Sequence, residues 1–107
     1  MLRALRTAAL GMSAQQSGVD NIANNLANAN TTGFKRSTIV FQDLLYQQVQ
    51  AAGQDESAGG APPATLQMGN GAAPVATVRN FVQGGLVETG NPLDLAINGD
   101  GFLQVLR

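Results

Sequence analysis

The sequence predicts an α+β fold: a long N-terminal coiled-coil-type helix, an extended arm, then part of a β-rich domain, the whole incomplete without a partner helix. Three observations predict it. Apolar residues recur every three or four positions from Leu2 to Leu26, residues 51–64 are low in apolar bulk and rich in Gly, Pro and small polar residues, and β-branched alternation begins after Pro74. The expected divisions are 1–30 for the helix, 31–72 for a turn, an apolar cluster and the arm, and 73–107 for the start of the β domain.

With Leu2 at heptad position a and Leu5 at d, the seam reads Leu2, Leu5, Ala9, Met12, Gln16, Val19, Ala23 and Leu26, flanked by Ile22. Gln16 is a polar intruder at an a position, a choice that costs stability and fixes register. A helix over this span is about 40 Å long and needs a partner of similar length. Residues 30–107 contain no second heptad run, so the partner is expected to be another chain or a further segment.

The opposite face is nearly uncharged, Asp20 being the only charged residue between Thr7 and Phe34. A solvated helix normally carries Glu and Lys pairs there. Asn21, Asn24, Asn25 and Asn28 occupy positions f, b, c and f, an amide stripe expected to meet neighbouring subunits without desolvating charge. Ala4, Gly11 and Gly18 fall on successive c positions, where lack of bulk admits a neighbouring backbone. A helix-interior Gly costs about 1 kcal/mol relative to Ala, so this spacing asks for a packing reason. The alternative is a tolerant surface helix that merely accepted Gly and Asn.

Asn28 to Gly33 should end the helix, since Asn and Gly tolerate positive φ at a C-cap. Phe34, Lys35 and Arg36 then set an aromatic anchor beside two cations that suit a helix C-terminus. Ile39 to Tyr46 form an apolar cluster that fits either a short helix or a strand and turn. After the arm, strands are expected over Val75–Val82, Leu86–Thr89, Leu93–Ile97 and Phe102–Leu106, with turns at Gly84-Gly85, Gly90-Asn91-Pro92 and Asn98–Gly101. Some 35 residues of β structure bury little core alone.

Composition narrows the function. The 107 residues make one domain at most, 44% apolar with 12% charged residues and a net charge of −1. That flat balance suits no polyphosphate partner. His and Cys are absent, which removes zinc, haem and iron–sulfur sites, His-based triads, Cys nucleophiles and disulfides. No catalytic, cofactor-binding or metal-binding residue is assigned, and the chain is expected not to be an enzyme. No stretch approaches the roughly 20 apolar residues of a membrane span. Arg3 and Arg6 precede a short apolar run, but that run falls below the roughly 7 to 15 residues of a signal peptide, so no cleaved signal is expected.

Three segments, Ala23-Asn24-Asn25-Leu26-Ala27-Asn28, Thr32-Gly33-Phe34-Lys35-Arg36, and Asp94 to Phe102, together resemble the bacterial flagellar rod and hook family. Phe41-Gln42-Asp43-Leu44-Leu45-Tyr46-Gln47 and the arm from Tyr46 to Met68 resemble its distal rod branch. The resemblance implies a structural subunit of an axial tube, with terminal helices in an inner coiled-coil layer, a β domain outside, and helical polymerisation into a shaft that transmits torque. It implies no cofactor and no small-molecule substrate. The implied partners are copies of itself, other rod and hook proteins, the flagellar type III export apparatus and the rings around the rod.

It further implies a place in the basal body, in a rod that crosses the periplasm, reached without a cleaved signal peptide. Whole members continue through the β domain to a C-terminal helix that would pair with the N-terminal one. On this footing Leu2, Leu5, Ala9, Met12, Val19, Ile22 and Leu26 form the seam, the four Asn the contact between subunits, and Thr32 to Arg36 the turn motif. The alternatives are a hook or proximal rod subunit and, from another class, a membrane-active amphipathic helix encouraged only by Arg3 and Arg6.

Overall fold

The computed structural model describes residues 1–50 and 64–107. Its elements run α1 (Leu2–Ala27), β1 (Ser37–Asp43), β2 (Gln47–Gln50), β3 (Leu66–Met68) and β4 (Ala72–Arg79). This is the α+β mixture expected.

Helix α1 has 26 residues and is about 39 Å long. Its start carries no side-chain cap, and the Leu5 N–H donates to the Met1 carbonyl at 3.2 Å. At its end the Asn28 N–H donates to the Asn24 carbonyl at 3.1 Å, and the Asn28 side chain reaches the same carbonyl at 3.0 Å. Asn28 keeps a negative φ of −99°, and Gly33 (φ +73°) is the residue that reverses the chain. The amide thus ends the helix through hydrogen bonding, and the positive φ expected around the C-cap falls only on the glycine.

The apolar cluster resolves as a strand. β1 pairs antiparallel with β4 from Ser37↔Arg79 to Asp43↔Ala72, and β2 pairs antiparallel with β3 from Gln47↔Met68 to Gln50↔Leu66. Between the two ladders the Leu44 N–H donates to the Gly71 carbonyl at 2.8 Å, so residues 37–50 and 66–79 form one interrupted two-stranded ribbon. Val40 pairs with Ala76 and Phe41 with Pro74, which leaves Val75 as the extra residue of a bulge. The bulge sits beside Pro74, a residue that has no N–H to give a ladder.

The ribbon lies along α1 and runs back from the C-terminal end of the helix toward its start. Ser37 sits at Asn21 and Asn25, the Phe41 ring beside Gly18, Gly71 against Leu10 and Thr7, and Asn70 at Arg3. Ala14 is the one buried apolar residue among those described. The chain exposes 9539 Å², where a compact chain of its 11.0 kDa would expose about 5,600 Å². An incomplete domain looks like this.

Two expectations need correction. Gln47–Gln50 and Leu66–Met68, read as parts of the arm, form a ladder, while residues 51–63, where most of the arm was placed, lie outside the described residues. The runs at Leu86–Thr89, Leu93–Ile97 and Phe102–Leu106 adopt no strand, and β4 spans 72–79 rather than 75–82. Gly90 (φ +72°) and Gly99 (φ +113°) do turn the chain where the sequence places turns. What holds this region is sparse: Gln83 Nε2 donates to the Ile97 carbonyl at 3.0 Å, Thr89 Oγ1 to Asp94 at 2.6 Å, and the Phe81 and Phe102 rings meet edge to face at 5.5 Å. Alternation supplies a strand with a face but not with a partner edge.

Candidate functional site

The heptad frame divides α1 cleanly. Positions b, c and f, apart from the exposed Ala4 and Asn24, face inward: Thr7, Leu10, Gly11, Ala14, Ser17, Gly18, Asn21, Asn25 and Asn28 are buried or half-buried. Positions a, d, e and g are exposed from Leu2 to Leu26. The seam therefore lies bare, with Leu2 84%, Met12 68%, Val19 58%, Ile22 65% and Leu26 75% exposed. These residues form a contiguous exposed apolar stripe along α1.

The ribbon side is held by amides. Asn21 Nδ2 and Asn25 Nδ2 both donate to the Ser37 carbonyl, at 2.9 and 2.8 Å. The Ser37 N–H donates to Asn25 Oδ1 at 3.0 Å, and its hydroxyl to Asn21 Oδ1 at 2.6 Å. Asn21 and Asn25, expected at a contact between subunits, instead clamp the first residue of their own β1. Amides do this because each offers a donor and an acceptor together, which is what a backbone N–H and C=O require. Asn28 closes the helix, and Asn24 is the exposed member of the stripe.

Of the small c-position residues, Gly18 admits the Phe41 side chain: a Cβ built there lies 3.9 Å from the ring. A Cβ on Gly11 meets nothing within 4 Å, and Ala4 is exposed. The neighbour is thus a side chain of β1 at one position, at ordinary van der Waals distance, where close approach of a backbone along all three was expected.

In the turn motif, Thr32 and Gly33 are exposed and Phe34 is half-buried, sharing a shallow cleft with Ile22, Leu26, Ala29 and Val82. Lys35 Nζ donates to the Val82 carbonyl at 3.0 Å, and the Arg36 carbonyl accepts from the Asn80 N–H at 3.0 Å. Neither cation lies in the last turn of α1, so the expected complement to the helix dipole gives way to a tie between the turn and the segment after β4. At the other end of α1, Arg3 donates to Asn70 Oδ1 at 3.1 Å, and Asn70 Nδ2 to the Leu45 carbonyl at 2.7 Å. Asn70 was not among the sequence candidates; the Gly69-Asn70-Gly71 triplet is its only signal.

Among the described residues no group of three or more acidic side chains converges on a metal position, and no helix is long and apolar enough to cross a membrane.

Residues 5–35 match the family model described as flagella basal body rod protein, a span that covers the seam from Leu5 onward, the amide stripe and most of the turn. Over 98% of its length the chain is 49% identical to the flagellar basal-body rod protein FlgG of Caulobacter vibrioides, covering 40% of that protein. It is 49% identical to the FlgG of Borreliella burgdorferi over 99% of its own length, again 40% of the relative. The flagellar hook protein FlgE of Treponema pallidum is 44% identical over 95% of the chain, which covers 22% of that protein. The chain thus spans about 40% of the length of the rod proteins it matches.

Proposed function

We propose that the chain is a member of the flagellar rod and hook family and forms the N-terminal part of a structural subunit of the flagellar distal rod. The observation that carries this reading is the partition of α1. One face is fastened to the chain's own ribbon, and the other, from Leu2 to Leu26, presents an uncovered seam. Such a subunit polymerises into a rigid tube that transmits torque from motor to hook. It catalyses nothing and uses no cofactor.

Rigidity is what a shaft requires, and it has a local source here. The Asn21 and Asn25 clamp at one end and the Arg3 to Asn70 bond at the other tie the ribbon along the helix, so load on one element reaches the other. Heterologous contacts between different faces then propagate into a helical polymer. In this reading the seam packs against helices of the same assembly, including a C-terminal helix of the whole subunit, and Asn24 is the amide left for a neighbour. Rod and hook proteins, the ring proteins and the type III export apparatus are its partners. Its place is the basal body, in the rod across the periplasm, reached by export without a cleaved signal peptide.

A second reading, a hook subunit, is favoured by the identity to the hook protein of Treponema pallidum. One experiment separates the two. The chain replaces the N-terminal 40% of the rod protein of Caulobacter vibrioides in cells lacking that protein, and rods are imaged and swimming scored. Restored straight rods and motility are expected; assembly only of curved filaments, or none, would overturn the distal rod reading.

A further inference from the structure

We propose that α1 of the free chain pairs antiparallel with α1 of a second copy, in a single register fixed by Arg6 and Asp20. The inference goes beyond the rod reading, because it concerns the pairing of this chain with itself and not its place in a rod.

Its basis is the sequence written on the uncovered face. When two heptad helices run antiparallel, a positions meet d positions of the partner, and e meets e. With the helices fully overlapped, Leu2 faces Leu26 of the second copy, Leu5 faces Ala23, Ala9 faces Val19 and Met12 faces Gln16. Three of these layers set a larger residue against a smaller or polar one, the alternation that lets two helices interdigitate. In the same register Arg6, at e, meets Asp20, at e, and two-fold symmetry makes the pair twice.

The charge pattern selects this arrangement over its competitors. Asp20 is the only acidic residue of α1, and Arg6 is its one cation on the exposed side, Arg3 being turned to Asn70. Sliding the helices by one heptad sets both charges against uncharged residues such as Ser13. A parallel pair places Asp20 beside Gln15 and stacks Gln16 on Gln16 at an a layer. Gln16 is already satisfied within its own helix, where its Nε2 donates to Asp20 Oδ1 at 3.0 Å, leaving Asp20 Oδ2 for the guanidinium. The polar intruder thus holds the carboxylate that meets the partner's Arg.

An isologous pair closes on itself and cannot propagate. It covers the same seam that the rod reading gives to other helices, so the two modes of packing exclude one another.

The test uses the 107-residue chain, which has no native cysteine. Nitroxide labels are placed singly at Ser13→Cys and Ala4→Cys, both exposed, and distances between copies are measured by pulsed electron paramagnetic resonance. The antiparallel register brings the Ser13 labels within about 20 Å and holds the Ala4 labels about 30 Å apart along the axis. Short distances at both sites would mean a parallel pair and overturn the proposal, as would a monomer at all concentrations. In sedimentation equilibrium, Arg6→Asp and Asp20→Arg should each weaken the dimer about fivefold to tenfold, and the double variant should recover it. Failure of the double variant to recover would overturn the register. None of these outcomes touches the rod reading, which the chimeric gene tests separately.

Discussion

Asn25 and Ser37 are joined by a reciprocal pair of hydrogen bonds, the Ser37 N–H to Asn25 Oδ1 at 3.0 Å and Asn25 Nδ2 to the Ser37 carbonyl at 2.8 Å. The side-chain amide imitates a neighbouring strand, so β1 begins on the helix. Removing it leaves a partly buried N–H without its acceptor and deprives the carbonyl of one donor. Asn25→Ala should therefore destabilise the chain by about 1–3 kcal/mol, whereas Asn24→Ala, at an exposed site, should stay within about 0.5 kcal/mol. Urea unfolding followed by helical circular dichroism compares the two.

Gly11 and Gly18 occupy equivalent heptad positions but not equivalent surroundings. A Cβ at Gly11 meets nothing within 4 Å, so Gly11→Ala should raise stability by about 1 kcal/mol through helix propensity alone. At Gly18 an added Cβ would already be in contact with the Phe41 ring at 3.9 Å. Gly18→Leu should displace that ring and lower the urea midpoint, because a branched side chain has no room between helix and ribbon.

Gly71 combines both constraints. Its φ of +103° disfavours any side chain, and a Cβ there lies 3.5 Å from Leu10 Cβ. Gly71→Ala should cost about 1–3 kcal/mol, and it should loosen the ribbon where Leu44 bonds to the Gly71 carbonyl. Faster amide hydrogen exchange at Leu44 than at Thr38 would report that local release.

The sequence made α1 legible because a period repeated from Leu2 to Leu26 leaves little choice of element. It also separated the seam from the amide stripe, since the two fall on opposite heptad positions. It could not show that Asn21 and Asn25 would reach the chain's own β1. Amides match any backbone pair, and nothing in residue type says whether the backbone is in the same molecule. The pairing of Gln47–Gln50 with Leu66–Met68 was hidden for a related reason: short Gln-rich runs carry too little apolar alternation to announce a ladder. From Leu86 onward the opposite error arose, because residues with strand texture and proper turns met no edge to pair with.

Helix α1 turns one face to its own ribbon, and in the proposed reading it keeps Leu2 to Leu26 for other helices. The most direct measurement is sedimentation velocity of Leu26→Asp beside the native chain over a range of concentrations, with circular dichroism on the same samples. Leu26 is 75% exposed, so the variant should keep its helicity and stay monomeric where the native chain associates. Association of the variant to the same extent as the native chain would contradict the claim.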